Sequence, residues 1–502
     1  MRKIPATMAT QHPDNAREAY FCGKRFVSAQ DEIEECYMCF SDLGVEEYMW
    51  DWEGKFVDEA VIDRLFNKYY GFFKEKQLGR DLFLTFRVPN IWVETSHKLP
   101  RSFMNLITAE EAANNYDFHS PPLFEVILPM TTEAEQLKYL QKTFAKIARS
   151  TEEIFDMKSS MKMVDVIPLI EDFKSIANAK NILGDYLDFL KEEFHYEPDY
   201  MRVFTARSDP ALNAGFLPAK LANKQAIHLY HELGEERGIE MYPWVGGGSL
   251  PFRGGINPEN IDEAIDEYRG VGTLTVQSAF RYDYDLHQVK TSIAKMNKVI
   301  PEGRKNYERL SAEEIAALNE LNERVAKEYC KTVEQIADLV NTVAGKMPSH
   351  RERVQHIGLF GYSRGVGNVS LPRAIKFTGS LYSLGVPPEL IGSGRALKLA
   401  EEMGMLDLVN RLCPYLKADF GHAGHYLNRE NLDLLCRDND AWKDVRDEIE
   451  AIEEIVGVEI GPSKPHHIMH RNFASNIYHK LKLNEDFAED VLKAAEIRKS
   501  LG

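Results

Sequence analysis

Short apolar runs of strand length recur along the chain. They fall at Lys3–Met8, Leu82–Phe86, Phe124–Pro129, Met163–Ile170, Met201–Ala206, Ile239–Val245, Leu274–Gln277 and, more weakly, His356–Gly361. Between most of them lie stretches with apolar residues at helical spacing. "LANKQAIHLYHELGEERG" closes on Gly238, and in "NPENIDEAIDEYRG" Asn257 is the expected cap, with Pro258 in the first turn and Gly270 at the exit. Eight strands alternating with helices is the pattern of a parallel (β/α)8 barrel of the TIM type, an α/β fold.

The last third breaks the alternation. Ser311–Lys346 reads as one long helix, or two, so 300–350 is expected to be a helical insertion between strands seven and eight. Beyond Arg373 the pattern is helical almost throughout, making 374–502 a mainly helical C-terminal addition. With no low-complexity tract, linker or internal repeat, residues 1–502 are expected to form one large barrel domain with extensive additional helices. At 502 residues and 44% hydrophobic composition, the chain can bury a core of that size.

No run of about 18 apolar residues appears, and "MRKIPATMAT" lacks the apolar centre of a signal peptide. A soluble, cytoplasmic protein without membrane partners is expected. Sixty-one Lys and Arg against 78 Asp and Glu give a net charge of −17, which argues against a nucleic-acid surface. An acidic protein that binds an anion must gather its arginines locally. Cys36 and Cys39 form a lone C-x-x-C without a second pair, so they read as core cysteines of an amphipathic helix. The histidines of "GHAGHYLN" and "KPHHIMH" show no closed zinc-ligand spacing.

In such a barrel, functional residues sit where strands end. Those ends carry His12, Arg87, Glu171, Arg207, Asp209, Arg253, Arg281 and Arg364. That is one histidine, two carboxylates and five arginines. Two carboxylates on neighbouring strands suit Mg2+, which takes one or two and completes its shell with water and substrate oxygens. Arginines around such a metal imply a strongly anionic substrate, with phosphate and carboxylate groups. Taken singly, Glu171 and Asp209 read equally as surface loop acids. The glycine-rich "VGGGSLPFRGG", which contains Gly254 and Gly255, reads equally as a plain turn, since it lacks the Walker lysine and the G-x-G-x-x-G spacing.

Together, "TMATQHPDN", "IPLIEDF", "TARSDPALNAG", "GGGSLPFRGG", "TVQSAFRY", "YSRGVG" and "LPRAIKF…LGVPPELIGSGRAL" resemble phosphoenolpyruvate carboxylase of the short, archaeal type. The resemblance implies a reaction of phosphoenolpyruvate with bicarbonate to give oxaloacetate and phosphate. It also implies Mg2+ or Mn2+, no biotin, and a homotetramer. It makes Glu171 and Asp209 the metal ligands, His12 the catalytic histidine, and Arg253, Arg364 and Arg373 active-site arginines. Gln277 and Arg281 lie in a segment similar to the family's T-x-Q-G-E stretch, where Ser278 and Ala279 replace its glycine and acid. With Arg87, Arg207, Gly254 and Gly255 they are expected to bind substrate.

Where the long type of the family has a lysine thought to hold bicarbonate, this chain has Leu212, and an arginine is missing near Gly246. Arg207 is the expected substitute, because a guanidinium grips a carboxylate-like anion bidentately. The glycine loop is expected to act as a mobile lid that brings in Arg253. The alternatives are another phosphoenolpyruvate-using phosphotransferase or aldolase on the same barrel, and a non-catalytic anion-binding barrel.

Overall fold

The computed structural model describes residues 2–52, 58–93, 97–157, 159–351, 363–366 and 369–502. Eight parallel strands close into a barrel: β1 (Thr7–Ala9), β2 (Glu47–Asp51), β3 (Phe83–Arg87), β4 (Glu125–Leu128), β5 (Asp165–Ile170), β6 (Tyr200–Ala206), β7 (Glu240–Gly246) and β8 (Thr273–Val276). Closure comes from β1 pairing with β8, in the register Met8 opposite Thr275.

Seven of the expected strands coincide with barrel strands. The eighth expected run, His356–Gly361, lies outside the described residues, and β2 takes a place in the barrel that the apolar pattern did not assign. The expected position of the long helix is corrected accordingly: Ala312–Lys346 follows β8, after the barrel is already closed, instead of separating two of its strands. Its start is fixed by a capping box, with Glu314 N–H donating to Ser311 Oγ and Ser311 N–H to Glu314 Oε2.

The helix Phe216–Arg237 ends on Gly238 at φ +68°, as expected. The cap of Ile261–Glu267, however, is Asn260. Asn257 instead accepts from Glu259 N–H and Asn260 N–H in the turn before it. Cys36 and Cys39 are buried on the helix Asp31–Ser41, as expected for core cysteines.

Strand alternation sorts the barrel residues into two sets. Tyr48, Trp50, Val126, Val166, Met201, Val203 and Val245 face the surrounding helices and belong to the large outer core. Met8, Met49, Ile127, Ile167, Leu169, Phe204 and Trp244 fill the barrel interior, with Phe204 and Trp244 stacked at 4.1 Å.

Below that layer lies a charged floor. Arg202, on the inward face of β6, donates to Glu47 Oε1 (3.0 Å), Glu47 Oε2 (2.5 Å), Glu125 Oε2 (2.7 Å) and Thr273 Oγ1 (3.3 Å). A second apolar core ties Ala211–Leu221 to the helices that follow the barrel, including Leu318–Val340 and Leu381–Ile452. A two-stranded antiparallel ribbon, Ser363–Val366 with Val369–Pro372, precedes the helix Ala374–Leu384. Among the described residues, no helix is long and apolar enough to cross a membrane.

Candidate active site

Continuing the inward alternation upward carries each strand to the mouth of the barrel. Asp51 and Arg87 follow Met49 and Thr85, Glu171 follows Leu169, and Ser208 follows Ala206, with Asp209 beside it in the first turn of Ser208–Ala214. There the chain encloses a cavity of about 480 Å3. His12, Arg87, Glu171, Asp209, Arg253, Gln277 and Arg373 all line it. The period of two that seals the interior thus also aims the charged residues.

Each of these side chains is held. Arg87 meets Asp51 bidentately, at 3.0 and 2.6 Å, across neighbouring strands in register. Glu171 Oε2 accepts the backbone N–H of Met130 at 3.1 Å. His12 Nδ1 lies 2.8 Å from Thr10 Oγ1. Arg253 is 1% exposed and donates to Ser208 Oγ (3.2 Å), Asp14 Oδ2 (3.0 Å), Gln277 Oε1 (2.6 Å) and the Gly502 carbonyl (2.7 Å).

The glycine loop was expected to be a mobile lid, but here it is fastened. Gly248 N–H donates to the Arg253 carbonyl, Gly255 N–H to the Leu250 carbonyl and Ile256 N–H to the Gly248 carbonyl, at 2.8 to 3.0 Å. Gly248 must be glycine, since a Cβ there would meet Arg253 Nη1 at 2.7 Å. Gly254 and Gly255 take φ of +136° and +69° to turn the chain back, and neither lines the cavity.

Besides Gly254 and Gly255, two further expected substrate contacts, Arg207 and Arg281, are not brought into the cavity. Arg207 stands one residue out of phase with the inward set. Its guanidinium lies behind the glycine loop, against Tyr268 Oη (3.2 Å) and the Pro251 carbonyl (3.4 Å). Arg281 is fully buried against Glu35 (2.7 Å) and the Thr10 carbonyl (3.1 Å). Glu35 also binds Arg351 and Tyr282, and these guanidiniums hold its carboxyl well below the usual range against the opposing effect of burial. That cluster is a buried ion network, of which Arg351 lines the cavity while Arg281 and Glu35 do not. Leu212 is buried in the second core. Arg364 falls on the strand Ser363–Val366, and its side chain lies outside the described residues.

The structure adds residues that strand ends did not reveal. Asp14, from the quoted "TQHPDN", orients Arg253 and accepts Ala279 N–H at 2.8 Å. Lys376 lines the cavity, and burial lowers its ammonium from the ordinary value. Its position in "LPRAIKF", three residues past Arg373, was the available signal.

Glu171 and Asp209 fit a hard divalent cation. Both offer carboxylate oxygens to one cavity from adjacent strand ends, and no third His, Cys, Asp or Glu joins them among the described residues. Mg2+ needs no more protein ligands than that, whereas a closed zinc site would.

Two carboxylates and a histidine amid Arg87, Arg253, Arg373 and Lys376, at the mouth of an α/β barrel, define an enzyme for small, multiply charged anions. The chain belongs to the phosphoenolpyruvate carboxylase family, whose profile matches residues 4–502. It is 42% identical to the phosphoenolpyruvate carboxylase of Leuconostoc mesenteroides over 479 residues, which cover 95% of this chain and 94% of that protein. The enzymes so named from Oenococcus oeni (40% over 512 residues, 100% of this chain and 99% of that one) and Metallosphaera sedula (39% over 532 residues, all of both chains) are similar throughout. The family resemblance carried by the seven motifs therefore holds over the whole length.

Proposed function

We propose that the chain carboxylates phosphoenolpyruvate with bicarbonate, releasing oxaloacetate and phosphate by way of carboxyphosphate and the enolate of pyruvate. The observation that carries this reading is the cavity itself, where His12, Glu171 and Asp209 face Arg87, Arg253, Arg373 and Lys376. Both substrates are anions, and so are carboxyphosphate and the enolate. Fixed cations in a walled-off site therefore supply most of the rate enhancement.

Glu171 and Asp209 would hold a divalent ion, Mg2+ or Mn2+, which would supply Lewis-acid stabilisation of the substrate's negative charge. Arg253 and Arg373 grip the phosphoryl group as it passes from the enol oxygen to a bicarbonate oxygen. Lys376 supplies positive charge for bicarbonate, and Arg87, held by Asp51, lines the same cavity, which Arg207 does not. His12 takes the proton of carboxyphosphate as that compound splits into CO2 and phosphate. The enolate carbon then attacks CO2, forming the new carbon–carbon bond. The fastened glycine loop excludes water, which would otherwise protonate the enolate to pyruvate. The same reading assigns Arg364 to the site, needs no biotin, and takes a homotetramer as the assembly.

Oxaloacetate formation, coupled to reduction by malate dehydrogenase, tests the reading. It should require phosphoenolpyruvate, bicarbonate and a divalent metal together. Phosphate release that does not depend on bicarbonate would overturn it in favour of a phosphotransferase or hydrolase.

A further inference from the structure

The two histidine motifs take no part in the site above, yet the fold brings them together. His422 and His425 stand at the C-terminal end of the helix Leu416–Gly424, and His466 and His467 open the helix Pro465–Leu483. They border a cavity of about 810 Å3 that is also lined by Arg17, Glu259, Tyr426, Lys464, Lys493, Glu496, Arg498 and Lys499. His425 and His467 are stacked at 4.2 Å, and no metal-ligating set of three forms among the described residues. Burial and neighbouring positive charge keep His422 and His467 at about 4, so both are neutral hydrogen-bonding groups near pH 7.

The charge balance of this cavity is uneven. Five cations meet two carboxylates; Lys499 is paired with Glu259, Lys493 with Glu489 outside the cavity, and Glu496 is taken by Arg25. Among the described residues, Arg17 and Lys464 form no salt bridge. At the base sits Arg498, 2% exposed and without a carboxylate partner among the described residues. Its Nη2 donates to the Leu501 carbonyl at 2.8 Å, Nη1 lies 3.3 Å from His470 Nε2, and Nε has no partner at all. Asp283 lends Arg498 some negative field but no salt bridge, and an anion entering the cavity would relieve the remaining cost of the buried guanidinium.

We propose that this cavity is a second ligand site, separate from the barrel mouth, for a small polyanion of the phosphate type. Arg498 grips one oxyanion group, Lys464 and Arg17 at the rim take the remaining charge, and the imidazoles contribute hydrogen bonds. Phosphate chemistry fits because a guanidinium fork and several ammonium groups match a tetrahedral oxyanion with many acceptors. The site also touches the barrel mouth. Arg498 holds Leu501, whose N–H donates to the Asp14 carbonyl, and Gly502 beside it accepts from Arg253.

The test is calorimetric titration of the full chain with tripolyphosphate in metal-free buffer, with citrate as a parallel titrant. A saturable site is expected that is weakened at least tenfold by Lys464→Ala and by Arg498→Lys and persists in Arg373→Ala, whereas any further site lost in Arg373→Ala belongs to the barrel mouth. Lys464 is exposed, so its variant remains informative even if Arg498→Lys fails to fold. Absence of saturable binding would overturn the proposal. So would loss of binding in Arg373→Ala alone, which would put the anion in the barrel mouth. Citrate binding as tightly as tripolyphosphate would overturn the phosphate assignment.

Discussion

The floor and the mouth of the barrel are built from the same kinds of residue. Each has an arginine pairing with carboxylates from a neighbouring part of the barrel, placed by the same inward alternation. At the floor, Arg202 divides its donors among Glu47, Glu125 and Thr273, and the cavity bordered by Glu125 and Arg202 holds about 40 Å3. At the mouth, Arg87, Arg253 and Arg373 share about 480 Å3 with Glu171 and Asp209. The floor is a closed ion network, and the mouth leaves room for substrate charge. Charged residues inside a barrel therefore mark a site only where there is open space beside them.

The most severe test of that contrast is Asp209→Ala. It should leave a folded protein whose kcat falls by about 10^3-fold or more, since several kcal/mol of metal-based stabilisation is lost. Near-normal turnover with Mg2+ would remove Asp209 from the metal site. His12→Asn comes next, with oxaloacetate output down about 10^2- to 10^4-fold. Bicarbonate-dependent phosphate release should persist, with pyruvate as the carbon product. Loss of both products would place His12 in the first step.

At the floor, Arg202→Met should do the reverse. Glu47 and Glu125 would be left buried and unpaired, at a cost of about 3–5 kcal/mol in unfolding free energy. The kcat of the molecules that remain folded should hardly change, and a denaturant melt paired with the coupled assay separates the two effects. A specific loss of kcat would mean that the floor contributes to chemistry.

Arg207→Gln should cost about 1–3 kcal/mol of stability, because Arg207 supports the glycine loop through Tyr268 and Pro251. The Michaelis constants for both substrates should shift together. A selective rise for bicarbonate would restore Arg207 to the site.

The smallest effect is expected at Glu389, where burial pushes the carboxyl up to about 7 despite bonds from Phe252 N–H and Tyr382 Oη. Its folded form binds a proton more tightly than the unfolded chain does. Its contribution therefore falls as pH rises from about 4.5 to about 7, and stays low above that. Glu389→Gln should raise the melting temperature more at pH 8 than at pH 5. An equal shift at both would mean that Glu389 is ionised throughout.

Most of the mouth was legible because strand ends in a barrel converge on one place whatever the loops do. His12, Arg87, Glu171, Asp209, Arg253, Gln277 and Arg373 were all named from sequence and all reach the cavity. Arg207 and Arg281 were misread because direction and pairing depend on phase and on Glu35, neither of which a list of strand ends contains. β2 escaped notice because its inward residues are Glu47, Met49 and Asp51. Its charges belong to the floor and the mouth, and they hide the apolar signature of a strand. Asp14 acts through contacts across more than two hundred positions of sequence, and Lys376 sits on a helix far from any barrel strand end.

Arg253 also has a bearing on how the protein is made. Its anchors Asp14 and Gly502 lie 239 and 249 positions away in opposite directions along the chain. A ribosome that has released β8 has delivered every strand of the barrel but not the Gly502 carbonyl. Closing such distant contacts is slow compared with forming local helices. In refolding, tryptophan fluorescence from Trp244 in the barrel interior should recover first, and carboxylating activity should lag behind it. The nascent chain thus acquires its shape before its chemistry.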